Sequence, residues 1–313
     1  EAEAEKLAES VPKLPDPEPP IAKIPVTKEI SAGRFFQFME KVIRQYDTLS
    51  LYPLSENLLL RANPWILDTL VNTDYYYQMS LGNFVYDLKK MRILKPGDTL
   101  LIPGPKTAAT LLQKIVNTRL DINIPAFELS ILEGDSLLYS IPVRVGKDQK
   151  KYLESAGRRV DLRTRTGTGE IIRVNRFPSF VNPVDGKKFK FTKRDDHQTT
   201  LMPQIPWLEP AINGQRLGQM IHPTTNPRSL GKPASNGCIG VNEANAWRIY
   251  FFAPVGTKVT IRYDLEEINA EGDTVRYEDI YRLRKTGKSA EAVPVAGIYR
   301  GQPEVICICD SIF

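Results

Sequence analysis

Between residues 35 and 46 (FFQFMEKVIRQY) apolar side chains recur every three to four positions, which places Phe35, Phe38, Met39, Val42 and Ile43 on one face and predicts an amphipathic helix. In the stretch 55–71 (SENLLLRANPWILDTLV), Ser55 stands where it can cap a helix carrying Leu58, Leu59 and Leu60. The unit closes at 94–103 (LKPGDTLLIP), a Pro-Gly-Asp turn followed by a short apolar strand. A further helix is predicted over 107–120 (TAATLLQKIVNTRL). From about residue 124 the period changes. Runs at 124–132 and 136–145 flank Glu133-Gly134-Asp135, a hairpin signal, and strand-like runs follow at 169–174, 218–221 and 257–263. Strands at this spacing, with no helix between each pair, predict an α+β chain with a mostly antiparallel β domain.

The remaining segments divide the chain. Residues 1–30 are acidic and then proline-rich, expected to form an extended linker. A compact unit over 31–104, a connecting helix over 105–125, a β domain over 126–263 and a C-terminal extension over 264–313 complete the predicted organisation. At 313 residues the length suits two domains. The composition, 42% hydrophobic and 25% charged, is that of a globular chain. The net charge of +5 does not by itself indicate a nucleic-acid partner. Residues 141–200 nevertheless hold 15 Lys and Arg against 7 Asp and Glu, a field that would draw an acidic ligand, with Arg158, Arg159, Arg163 and Arg165 at its centre. The chain opens Glu-Ala-Glu-Ala without Met, as expected where a signal peptide or anchor has been removed.

Chemistry concentrates in 221–241, IHPTTNPRSLGKPASNGCIGV. Cys238 follows Gly237, with Ser235 and Asn236 just upstream, and a glycine there lets the chain turn tightly so that adjacent N–H groups can meet a substrate carbonyl. A thiol attacks as thiolate and needs a base or cation nearby. His222 lies 16 residues upstream and His197 is the other imidazole in the chain, set in a polar stretch. Judged from these residues alone, a Cys–His pair competes with a buried structural cysteine. Three cysteines, Cys238, Cys307 and Cys309, give neither a disulfide framework nor a tetrahedral zinc site, and no cofactor or metal is expected. Trp207 and Trp247 are expected in core or lid packing.

The segment resembles the signature of the L,D-transpeptidase (YkuD) catalytic family: a strand ending in Ile-His, a loop, then Ser/Thr-His-Gly-Cys, an apolar residue and usually Arg. Here the strand is GQMIH, the loop PTTNPRSLGKPA and the turn SNGCI. The 127–148 hairpin, TGTGEIIRVNRFPSFVNP and VNEANAWRIYFFAPVGTKVTI follow the family order as well, so the likeness covers about 126–263. It implies a β-sandwich-like catalytic domain in which Cys238 takes an acyl group from a peptidoglycan tetrapeptide stem, His222 acts as its base, Ser235 and Asn236 shape the turn, and the Gly237 and Cys238 N–H groups hold the oxyanion. The imidazole would keep the thiol reactive below its ordinary pKa of ~8.5. The resemblance further implies transfer to an amine acceptor in cell-wall biogenesis and cell shape, sensitivity to carbapenems, and a place in the periplasm or cell envelope. An L,D-carboxypeptidase or amidase on the same scaffold, or a weakly catalytic peptidoglycan binder, are the alternatives. Asn236 stands where the family usually has His, Gly240 where it usually has Arg, and Pro223 where Gly is frequent. LSENLLLRANP and LKPGDTLLIP resemble parts of a LysM module, which implies binding to N-acetylglucosamine-containing glycan strands.

Overall fold

The computed structural model describes residues 18–284 except 183–184 and 270, so the first 17 residues, Cys307 and Cys309 lie outside the described residues. The N-terminal part runs β1 (Ala22–Pro25), β2 (Ile30–Ser31), α1 (Ala32–Tyr46), α2 (Glu56–Ala62), α3 (Trp65–Val71), α4 (Tyr75–Ser80), β3 (Arg92–Leu94) and β4 (Thr99–Ile102). β1 pairs antiparallel with β4 and β2 with β3. Within the linker expected over 1–30, residues 22–25 and Ile30 are instead paired strand. Ser55 caps α2 as expected, its Oγ accepting from the Leu58 N–H at 3.2 Å. Asn63, at the Asn-Pro corner, donates to the Leu101 carbonyl at 2.9 Å and accepts from the Leu101 N–H at 2.8 Å, tying the helices to β4. In α1 the buried side chains are Phe35, Phe36, Met39 and Val42; Phe36 takes the place predicted for Phe38 because its ring packs 5.7 Å from Tyr250 and 6.3 Å from Trp247.

The expected 105–125 connector is a helix only as far as α5 (Pro105–Val116); β5 (Thr118–Asn123) that follows is an interior strand of the main sheet. The sheet continues with β6 (Glu128–Glu133), β7 (Ser136–Pro142) and β8 (Gly167–Asn175), then the flap strands β9 (Phe191–Lys193) and β10 (Thr199–Leu201), which pair only with each other. After them come β11 (Trp207–Ile212), β12 (Ile221–Pro223), β13 (Ile239–Val241), α6 (Glu243–Phe252) and β14 (Lys258–Arg262). The main path is β13-β12-β11-β8-β14-β5-β6-β7, antiparallel except at β12/β13 and β14/β5. This is the expected α+β, mostly antiparallel architecture, with the hairpin turning at Glu133–Ser136 and the one long helix of this half starting at Glu243.

α6 is buried on nearly every side, and this decides how the two halves join. Its Trp247 and Tyr250 pack on Phe36, and the Trp247 indole donates to Thr73 Oγ1 at 3.0 Å. Each such aromatic contributes about 2–3 kcal/mol by leaving water. One hydrophobic cluster runs from Phe35 in α1 through Trp247 to Ile122 and Val259 in the sheet. The N-terminal part and the β domain share a single core. Residues 264–284 also pack on it: Tyr281 OH donates to the Gly146 carbonyl at 2.8 Å and accepts from the Thr164 N–H at 3.1 Å.

Candidate active site

β12 and β13 run parallel, with Ile221 level with Ile239 and His222 level with Gly240. Side chains alternate faces along a strand, and level partners share a face. Cys238 immediately precedes β13, two residues before Gly240, so an extended continuation of that strand would carry it on the His222 face, one diagonal step away. His222 and Cys238 are both buried, at 3% and 1% exposure. Cys238 sits with Phe180, Trp207 and Met220, and the Trp207 ring lies 5.1 Å from the His222 ring. Both expected roles for Trp207 and Trp247 as packing residues are met. A cavity beside the pair is lined by Arg144, Phe180, Trp207, His222 and Thr224 among others.

The His222 Nδ1 lies 2.8 Å from the Pro223 carbonyl oxygen. A carbonyl only accepts, so Nδ1 carries the hydrogen and Nε2 keeps its lone pair. That Nε2 is buried and has no hydrogen-bond partner among the described residues. Burial, helped by the nearby Arg144 charge, pushes the imidazole pKa down to about 3, against the Pro223 hydrogen bond. Burial pushes the Cys238 thiol up to about 11, although a Met220 backbone hydrogen bond and Arg144 work the other way. The resting pair is thus neutral thiol and neutral imidazole. Burial of Cys238 thus works against the reactivity below ~8.5 expected from the sequence, outweighing the Met220 hydrogen bond and the Arg144 charge that favour the thiolate.

The nucleophile turn is held internally. Ser235 Oγ accepts from the Gly237 N–H at 3.1 Å while its hydroxyl donates to the Cys238 carbonyl at 2.6 Å. Gly237 has φ of 114°, a conformation that side chains disfavour, which explains glycine before the cysteine. Its N–H, expected in an oxyanion hole, is already used by Ser235. Asn236 is buried beside this turn. His197 is exposed at the tip of the flap, away from the pair. Of the four arginines in the basic run, Arg163 and Arg165 are paired with Asp161, while Arg158 and Arg159 are exposed.

The flap over the site is fastened by residues that sequence reasoning passed over. Arg194, between β9 and β10, pairs with Glu243 at the start of α6 at 2.7 Å and stacks 3.9 Å from the centre of the Tyr75 ring. Tyr75 OH donates to Asp196 at 2.8 Å, and the Asp195 N–H donates to Tyr76 OH at 3.0 Å. Tyr76 OH in turn donates to the Thr225 carbonyl at 3.2 Å, in the loop after His222. Reciprocally, Glu243 accepts from the Tyr75 N–H at 3.1 Å and Asp74 from the Ala244 N–H at 3.0 Å, so α4 and α6 cap one another. The available signal was the acidic residue in the first turn after Asn242, which reads as an ordinary helix start and hides its distant partner.

Arg194 and Glu243 are only 3% and 2% exposed. Removing one member of such a pair leaves a buried charge without its counterion, so Arg194→Met is expected to cost about 3–5 kcal/mol. Adding Glu243→Gln should recover most of it. Chemical denaturation measures both, and a loss under about 1 kcal/mol for the single variant would contradict a buried, closed flap.

Residues 117–261 match the model of the L,D-transpeptidase catalytic domain, YkuD. The inferred L,D-transpeptidase YkuD of Bacillus licheniformis is 27% identical over 165 residues, covering 53% of this chain and 74% of that protein. A solved L,D-transpeptidase from Mycobacterium smegmatis aligns at 17% identity with a TM-score of 0.33, over 47% of this chain and 58% of its own. L,D-transpeptidase 3 from Mycobacterium tuberculosis, solved with a faropenem-derived adduct, aligns at 12% identity and a TM-score of 0.30, over 53% and 64%. The chain therefore spans less than two thirds of either solved relative. Over residues 117–261, which run essentially from β5 to β14, the chain is similar to the L,D-transpeptidase catalytic domain of the YkuD family.

Proposed function

We propose that the chain is a peptidoglycan L,D-transpeptidase that works through a Cys238 thioester. The observation that supports this is the burial of both His222, on β12, and Cys238, immediately before its parallel neighbour β13, with the His222 tautomer fixed by Pro223 so that Nε2 is the basic nitrogen. When a tetrapeptide stem enters, Nε2 takes the thiol proton and sulfur attacks the carbonyl between the third residue and the terminal D-Ala. The negative charge develops on the carbonyl oxygen, with the Cys238 N–H as donor from the turn. His222 returns the proton to the departing D-Ala amine. An amine of a second stem then attacks the thioester, loses a proton to His222, and regenerates the thiol. Burial of Cys238 keeps water from the thioester and favours transfer over hydrolysis.

This substrate puts the protein in the cell envelope. The strands β1 and β4, which enclose the helices of the N-terminal part, fit a LysM-like holder of glycan strands that is fused to the catalytic core. Incubation with purified tetrapeptide muropeptides, followed by mass spectrometry, tests the reading. D-Ala release with dimer formation supports it. Release without dimers assigns a carboxypeptidase, and no release removes the proposal.

A further inference from the structure

Arg144 enters the site from the segment just after β7, an apolar run in which Val143 and Val145 are fully buried. Its backbone bridges Gly240 in both directions: the Arg144 N–H donates to the Gly240 carbonyl at 2.9 Å and the Gly240 N–H to the Arg144 carbonyl at 3.0 Å. Its side chain then folds across Gly240. A Cβ at position 240 would clash with Arg144 Nε and stand 2.8 Å from Cγ, so the arginine fills the space that a side chain there would need. Gly240 is level with His222 and two residues beyond Cys238, about 6–7 Å along an extended chain. Arg144 is 4% exposed, lines the cavity with His222 and Trp207, and donates from Nη1 to Ser229 Oγ at 3.2 Å. Burial draws its pKa down to about 10, with Cys238 and Asp195 acting in the other direction, so it remains a cation at neutral pH.

We infer that Arg144 is the fixed cation of this active site, a positioning residue that stabilises negative charge on Cys238 sulfur, and that position 240 is glycine so that Arg144 can lie there. The inference rests on the proposed function only in taking Cys238 as the nucleophile. Sulfur ionises by passing its proton to a base, and the guanidinium lowers the cost of the anion that remains without itself gaining or losing a proton. A bare packing role for Arg144 would leave that charge balance untouched.

The test compares alkylation of Cys238 by iodoacetate, an anion, with alkylation by neutral iodoacetamide, on the full chain at pH 8. A fixed positive charge at this distance should raise thiolate content by about tenfold and favour the anionic reagent. Arg144→Gln is expected to slow both reactions by about tenfold and to lower the iodoacetate-to-iodoacetamide rate ratio several-fold. Arg144→Lys should restore most of the ratio. Gly240→Ala, whose added methyl first meets the flexible Arg144 side chain, should reproduce the Arg144→Gln ratio, and the double variant should go no lower. The ratio cancels changes in access to the pocket, which a packing defect would cause. A wild-type ratio in Arg144→Gln overturns the inference, as does a wild-type ratio in Gly240→Ala. D-Ala release measured alongside separates the two readings: a wild-type chain that cleaves no stems defeats the transpeptidase proposal, while the alkylation ratios still decide the role of Arg144.

Discussion

Cys238→Ala should yield a folded protein that releases no D-Ala from tetrapeptide stems. Cys238 is the one cysteine among the described residues, and no other group in the site is placed to hold an acyl intermediate. The structural cost is small. The substitution removes one sulfur atom from a cluster of Phe180, Trp207 and Met220, a cavity worth about 1 kcal/mol. The same thiol should gain the mass of a carbapenem in the wild type and not in the variant, as read by intact-protein mass spectrometry. D-Ala release at the wild-type rate by Cys238→Ala would refute thioester catalysis outright.

Removing His222 should reduce acylation by about 10²–10⁴-fold, while His197→Ala should leave it near the wild-type rate. The reason is positional. His222 Nε2 is buried and keeps a lone pair with no hydrogen-bond partner among the described residues, whereas His197 is exposed on the flap. The resting neutral pair adds a pH signature. With the thiol at about 11, alkylation should climb about tenfold per pH unit through neutrality, with no plateau below pH 8.5. Stability depends on pH with the same sign, in a lower window. His222 is depressed to about 3 in the folded chain, against about 6.5 when unfolded. Above pH 6.5 both states hold a neutral imidazole. As pH falls from 6.5 towards 3 only the unfolded chain takes up the proton, so its contribution to stability is progressively lost. His222→Gln should flatten that part of the difference curve. A dead His197 variant beside a working His222 variant would mean that the histidine roles have been exchanged.

The N-terminal helices are more than an attached module in this picture. α4 holds the flap through Tyr75 and Tyr76 and caps the helix that follows the nucleophile strand. Loosening that contact should therefore reach the site through Arg194 and Thr225, without any residue of the cavity being changed.

What the sequence by itself determined is what neighbouring residues dictate to one another. The 3.6-residue period around Phe35 and Val42, the Ser55 cap, the Glu133–Gly134 turn and the order of His222, Ser235, Gly237 and Cys238 are local, and each appears in the structure near its expected place. β5 was misread because Thr118–Asn123 continues an apolar pattern directly from a helix, and only its pairing with β6 and β14 makes it strand. The chemistry of the pair was decided later still. Whether the thiol is charged depends on how much water the flap excludes, and the flap is held by Tyr75 and Glu243, residues 168 apart in the chain. Arg144 lies 94 residues before Cys238, read along the chain as one charge in an apolar hairpin. Burial and electrostatics are sums over all that comes near in space, so the sequence could single out Cys238 and His222 as candidates, and the tertiary structure alone could set their protonation and bring Arg144 near them.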